Sequence, residues 1–167
     1  VVAGQAFATR PYPAIAAALG DVDNDGDLDL FLGSHVYQVD PRPDWLFLND
    51  GKGRFALAPQ TFPTHAETAT GAAFADFNGD GNLDLLAISY QGPVGVFTGD
   101  GTGKFELVED RALAEVRKGR WAAVTGDIDG DGRIDALLGS WGGTAEGDYV
   151  TIMRNRTPRC GSWTGLI

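Results

Sequence analysis

The chain has 167 residues, 43% of them hydrophobic, which suffices for one packed domain and excludes a disordered segment. Its formal charge of -10 disfavours nucleic acid and anionic membrane as partners, and no apolar run approaches the roughly 20 residues that cross a bilayer, so no membrane insertion is expected. Twenty-four glycines beside a single Met and a single Cys suit short strands and tight turns, and an all-β, soluble protein is expected, with no leader in VVAGQAFATR.

In chain order, GQAFATR comes first and carries Phe7 three residues after Gly4. The small-residue run AIAAALG predicts a strand, DVDNDGDLD (Asp21 to Asp29) an acidic turn, and LDLFLGS a second strand. Val36 to Asp44, with Pro41 and Pro43, reads as an exposed loop. WLFLNDGKGRFAL then predicts a hairpin, two apolar runs around a Gly-rich turn, the second opening at Phe55. The series returns as TGAAFA, DFNGDGNLD (Asp76 to Asp84), LDLLAISY and VGVFTGDGTGKFEL, whose last run opens at Phe105. ELVEDRALAEVRKGRW is expected to be a strand end and a loop with one helical turn. It leads into RWAAVTG, DIDGDGRID (Asp127 to Asp135), IDALLGS and DYVTIMRN, after which RTPRCGSWTGLI offers no Gly-x-Phe to open a fourth strand.

The acidic segments recur at separations of 55 and 51 residues, in the range of propeller blades. Two hairpins per repeat make a four-stranded antiparallel unit. The expected architecture is a β-propeller-type array of about three such blades within one repeat domain, residues 1–167. Residues 1–9 are expected to be a strand completing a blade, 10–60 the first blade, 61–110 the second, and 111–167 an incomplete third. The Ala-rich first strand of each would lie nearest the axis, where only small side chains fit.

Twelve of the 23 acidic residues sit in the three acidic segments, so the charge belongs to three loops rather than to the whole surface. A hard divalent cation takes six to eight oxygens, and short Asp and Asn side chains on alternate residues of a curled loop converge on one point. Positions one, three and five supply them: Asp21, Asp23 and Asp25; Asp76, Asn78 and Asp80; Asp127, Asp129 and Asp131. Gly26, Gly81 and Gly132 at position six permit the sharp reversal. Position seven is Asp27, Asn82 or Arg133, a chemical variety that points to its backbone carbonyl as the ligand. Asp29, Asp84 and Asp135 at position nine would close each site. The absence of His and Cys from the three loops argues against zinc, and the wealth of protein oxygens favours calcium over magnesium. Three ions are expected. An EF-hand would need Glu at position twelve, where Leu32, Ala87 and Leu138 stand. A solvated Asp-Gly turn accounts for one such loop taken alone but not for three in one context.

The pattern Asp-x-Asp/Asn-x-Asp-Gly-x-Leu/Ile-Asp, after a small-residue strand and before a turn like LNDGKGRF, resembles the FG-GAP/VCBS repeat family of integrin alpha-subunit propellers, over about residues 4 to 155. The resemblance implies calcium ligands at positions one, three, five, seven and nine of each loop.

Other motifs are weaker. GDGTGKF lacks the length and the Ser or Thr of a phosphate loop and suits a hairpin turn. His35 and His65 stand alone, so no catalytic group is assigned and no enzyme is expected. Trp45, Trp121, Trp141 and Trp163 are candidates for core packing or for stacking on sugars. Cys160 has no internal partner and is either an inert buried thiol or an intermolecular or reactive one, and Asn155-Arg156-Thr157 matches a glycosylation triplet. The expected function is a non-enzymatic, calcium-stabilised extracellular module for adhesion or assembly, secreted or at a cell surface. Its partners would be proteins: adjoining blades, or further copies joined by donation of residues 1–9. The alternative is a carbohydrate-binding or accessory domain of a secreted enzyme.

Overall fold

Short apolar runs broken by Asp-Gly and Asn-Asp-Gly turns are too brief for helices, and in the computed structural model they form eleven β-strands among the described residues. Those residues are 5, 14–34, 43–60, 62, 69–90, 92–109, 113, 116, 120–140 and 150–158. Sheet 1 contains β1 (Ala14–Gly20), β2 (Asp29–Ser34), β3 (Trp45–Asn49) and β4 (Phe55–Leu57). Sheet 2 repeats it with β5 (Ala69–Ala75), β6 (Asp84–Ser89), β7 (Gly95–Gly99) and β8 (Phe105–Leu107). Sheet 3 has β9 (Arg120–Gly126), β10 (Asp135–Ser140) and β11 (Val150–Met153). Every strand pairs antiparallel with its sequence neighbour. The all-β expectation holds, as does the series of hairpins whose fourth strands open at Phe55 and Phe105. Val116 N–H donates to the Leu113 carbonyl, a helical-type turn where one was expected, and Leu113 is buried. No helix among the described residues is long and apolar enough to cross a membrane.

Register decides which side chains share a face, because alternate residues of a strand point to opposite sides. In sheet 1 one cross-strand row is Leu19, Leu30, Phe47 and Leu57, and the next, on the opposite face, runs through Ala18, Phe31 and Leu46 to Ala58. The corresponding rows of sheet 2 are Phe74, Leu85, Phe97 and Leu107, then Ala73, Leu86 and Val96 to Val108. In sheet 3 they are Thr125, Ala136 and Met153, then Val124, Leu137 and Ile152. The Phe31–Leu46–Ala58 face of sheet 1 packs on the Leu85–Phe97 face of sheet 2, and Phe62 from the connection inserts edge-on against Phe31 at 5.3 Å and Phe97 at 5.5 Å. The Leu86–Val96 face of sheet 2 packs in the same way on Ala136 and Met153 of sheet 3. Sheet 2 thus lies between the other two, and every residue of β6 is buried.

The first strands sit side by side, β1 against β5 and β5 against β9. A Cβ at Gly33 on β2 would come 2.6 Å from the Ala69 carbonyl oxygen of β5, and one at Gly71 on β5 would come 3.3 Å from the Ala123 nitrogen of β9, so small residues here answer to close approach between sheets. Two side-chain amides repeat as well. Gln60, beyond β4, accepts from Phe105 N–H and donates to its carbonyl, at 2.8 and 2.6 Å. Gln5 accepts from Phe55 N–H at 2.9 Å and donates to the Gly53 carbonyl at 2.5 Å. Gln5 and Gln60 therefore play matching parts, each tying the chain ahead of a sheet to that sheet's last strand. Phe7 lies outside the described residues, as do His35, His65, Trp141, Cys160 and Trp163, and most of the loop expected from Val36 to Asp44.

Candidate metal centres

Each acidic loop joins the first two strands of its sheet and is curled by its own first carboxylate. Asp76 Oδ1 accepts from Gly79 and Asp80 N–H and its Oδ2 from Gly81; Asp127 does the same with Gly130, Asp131 and Gly132. Asp21 accepts from Asp25 and Gly26. Such a tight curl needs left-handed backbone at position four as well as position six. Asn24 has φ 59° while Gly79 and Gly130 have φ 77°. Asn and Gly are the residues that enter this region at least cost, and this second constraint was present in the sequence as Asn, Gly and Gly three residues after each first Asp.

The position-nine carboxylates are the buried frame of each site. Asp29, Asp84 and Asp135 are fully buried, and each accepts on Oδ2 from position two of its own loop: Val22, Phe77 and Ile128. On Oδ1 each accepts from the end of the third strand, Asn49 N–H at 2.8 Å, Gly99 at 3.0 Å and Asn155 at 2.7 Å. One side chain therefore fixes both the loop and its distance from the next hairpin. Burial raises the pKa of Asp29, and raises that of Asp84 to about 6 despite three backbone donors. Burial, with Asp29 and Asp25 alongside, also raises Asp23. Asp50 and Asp100, in the exposed hairpin turns, lie below the ordinary carboxylate range, Asp50 through Lys52 N–H and Asp100 through the Thr102 hydroxyl.

The loops bring together carboxylates from positions one, three and nine. Oxygens of Asp21, Asp23 and Asp29 lie within 4.8 Å of one another, as do those of Asp127, Asp129 and Asp135. Both groups have the donors and spacing to hold a metal ion. Oδ1 of Asp23 is buried without a hydrogen-bond partner, an acceptor that a cation would satisfy. In the middle loop Asn78 replaces the carboxylate at position three, and its amide donates to Asp80 Oδ2 at 2.9 Å. The position-five residues Asp25, Asp80 and Asp131 accept on Oδ1 from the N–H of position seven and stand outside the two carboxylate groups.

The position-seven side chains engage groups outside the clusters. A Cβ on Gly51 would strike Asp27 Oδ2, and one on Gly101 would strike Asn82 Oδ1, so both side chains lie on the neighbouring hairpin turn. Arg133 pairs with Asp131 Oδ2 and donates from Nε to the Asn155 carbonyl at 2.7 Å, while Arg154 reaches Asp129 at 3.8 Å. These cations would compete with a metal for the third loop, a feature that spacing alone does not reveal. Arg133→Ala is expected to keep metal binding in that loop and to tighten it several-fold, checked by calorimetric titration; loss of binding would make the Arg side chain part of the site.

Adjacent units are hydrogen-bonded through these loops. Asn24 Nδ2 donates to Asn82 Oδ1 at 3.0 Å, and Gly103 N–H donates to the Val22 carbonyl at 3.0 Å, joining the first loop to sheet 2. Asn155 Nδ2 donates to the Phe77 carbonyl at 2.6 Å and to Ile134 at 3.1 Å, joining the second loop to sheet 3. Asn155 is only 1% exposed, so its amide nitrogen is a structural donor and has no room for a glycan in this fold. Of the tryptophans, Trp45 is buried whereas Trp121 is partly exposed and lies tilted against Tyr90, with ring centroids 5.5 Å apart.

A model of the FG-GAP-like repeat matches residues 21–87 and 76–138, each match opening on the first Asp of an acidic loop. The chain belongs to the FG-GAP-like repeat family. Each match runs from one acidic loop through the other three strands of its sheet and the first strand of the following sheet to the next acidic loop, so it contains the loop and the third strand that Asp29 or Asp84 ties together. A comparison with curated proteins finds no match.

Proposed function

We propose that this chain is a non-enzymatic, calcium-stabilised module of β-propeller type in an extracellular or cell-surface protein, serving adhesion or assembly. The observation that carries it is the carboxylate group at positions one, three and nine, formed twice in the same hydrogen-bonded frame, with Asp23 Oδ1 buried and unshared. Asp25, Asp80 and Asp131, with the position-seven carbonyls of Asp27, Asn82 and Arg133, complete the proposed oxygen shells, and Asp76, Asn78, Asp80 and Asp84 form the middle one. All-oxygen donors of this number suit calcium. Sites of moderate affinity fill at millimolar extracellular calcium and stay empty in cytosol, which favours the outside. Calcium here is structural, neutralising carboxylates that repel one another in each loop.

Metal analysis after equilibration in millimolar calcium is expected to give three ions per chain; one or none would overturn the reading. The exposed Trp121–Tyr90 pair favours a second reading, a carbohydrate-binding surface, because exposed aromatic rings suit sugar faces. Quenching of Trp121 fluorescence by sugars, lost in Trp121→Ala, would favour it.

A further inference from the structure

The first strand of each sheet opens on the same irregularity. Pairing passes from Ala16 to Ala14 on β1, from Gly71 to Ala69 on β5 and from Ala122 to Arg120 on β9, so the register steps over Ile15, Thr70 and Trp121. A bulge of this kind re-aims the side chains around it. The residue ahead of it is Ala14 in the first sheet, Ala69 in the second and Arg120 in the third, a long charged side chain at a place that the repeat otherwise keeps small. Arg120 is nevertheless only 3% exposed. Its Nε and Nη1 are buried and have no hydrogen-bond partner among the described residues, whose guanidinium–carboxylate pairs involve Arg133 and Arg154 instead. The backbone of Arg120, by contrast, is held. The buried Thr70 hydroxyl donates to its carbonyl at 2.6 Å, and the ladder pairs it with Ser140 of β10.

A buried charge without a partner is strongly unfavourable, and a guanidinium cannot relieve it by giving up its proton as a buried Lys does. Its planar fork of N–H donors matches a carboxylate. We propose that Arg120 anchors an anion-binding site that takes the carboxylate of a small acid. The site lies at the opening of β9, the length of that strand, about 20 Å, from the acidic loop that follows Gly126. It is therefore remote from the carboxylate groups and does not rest on the calcium reading. The next residue, Trp121, is 37% exposed beside Tyr90, so Arg120 stands one residue from solvent and from an aromatic pair that suits a sugar ring. A free carboxylate and the carboxylate of a sugar acid share the chemistry that Arg120 recognises.

The test is melting and calorimetric titration of the calcium-loaded chain with acetate, glucuronate and glucose, with chloride holding the ionic strength constant and metal content measured on each sample. One carboxylate per chain is expected to bind and, at about ten times its dissociation constant, to raise the melting temperature by about 4 °C. Glucose, which lacks the charge, is expected to give no such shift. Arg120→Met fills similar space without charge, so it should melt at or above the unmodified chain in chloride and lose the response to both acids. Arg120→Lys retains the charge without the fork and should bind more weakly, which keeps the test decisive if the Met variant does not fold. Glucuronate bound more tightly than acetate, with the excess lost in Trp121→Ala, identifies a sugar acid as the source, and equal binding identifies a free carboxylate. No shift with either acid, an equal shift with glucose, an Arg120→Met chain that responds as the unmodified one does, or an Arg120→Lys chain that binds as tightly would each overturn the proposal.

Discussion

Stripping calcium from the protein at neutral pH is expected to lower its melting temperature by on the order of 20 °C. With dissociation constants of about 10 µM, millimolar calcium adds roughly 2.7 kcal/mol per site and about 8 kcal/mol for three sites acting independently, comparable with the stability of a whole domain. The slope with pH should also reverse on removing the ion. In the calcium-free protein Asp84 titrates near 6 when folded and near 3.8 when unfolded. Between those values the folded state keeps a proton that the unfolded state has lost, so stability is greatest below pH 4 and falls by about 3 kcal/mol as pH rises to 6. Asp23 and Asp29, also raised, act in the same direction. Asp50 and Asp100 are lowered, so their contribution is lost only as the pH falls below the ordinary carboxylate value. With calcium bound the ion requires ionised ligands, and stability should rise over the same interval. Melting curves at pH 4, 5, 6 and 7, with metal-stripped and calcium-loaded samples, check both statements. Parallel slopes in the two series would show that the ion is not held by these carboxylates.

The second large effect is expected from Asp84→Ala, which should destabilise the protein with or without calcium, by about 3 kcal/mol or more. Removal of the carboxylate strands the N–H groups of Phe77, Asn78 and Gly99 in the interior at once and frees the acidic loop from β7. Asp76→Ala is the informative contrast. Its oxygens accept from Gly79, Asp80 and Gly81 at the exposed surface, where water replaces them, so its cost should appear mainly in calcium. Denaturant unfolding of the two variants in chelator and in calcium separates a frame residue from a pure ligand. Equal losses for both in chelator would contradict the distinction.

Most of the strand pattern was legible because each signal was redundant. The runs AIAAALG, TGAAFA and RWAAVTG are apolar but small, which suits strands packed edge to edge, and they recur in the same place before each acidic loop. The ligand spacing was legible for a similar reason, since positions one, three and nine of a curled loop converge whatever lies between them. What sequence reasoning missed are partnerships across units. Asn155 opens a glycosylation triplet, and a rule that considers three residues only left its role undecided. Its place at the end of a third strand, equivalent to Asn49 and Gly99, was the signal that it would be buried at a turn. Gln60 carries no sequence signal of its own, yet its amide spans a donor and an acceptor on β8 that no strand among the described residues pairs. Arg133 was read for its backbone alone, and the competition of its guanidinium for Asp131 depends on a rotamer that spacing does not set.

The Asn155 and Gly103 bridges bear on how the loops share an ion's effect. The Val22 carbonyl in the first loop is held by the hairpin turn of sheet 2, and the base of that turn is fixed by Asp84 in the second loop. The Phe77 carbonyl in the second loop is held by Asn155, whose own N–H is fixed by Asp135 in the third. The three loops therefore form a relay. An ion that stiffened one loop would spare its neighbour part of the entropy lost on ordering, so binding at the three loops should be cooperative and exceed the independent sum, and removal of one ion should loosen the next along the row.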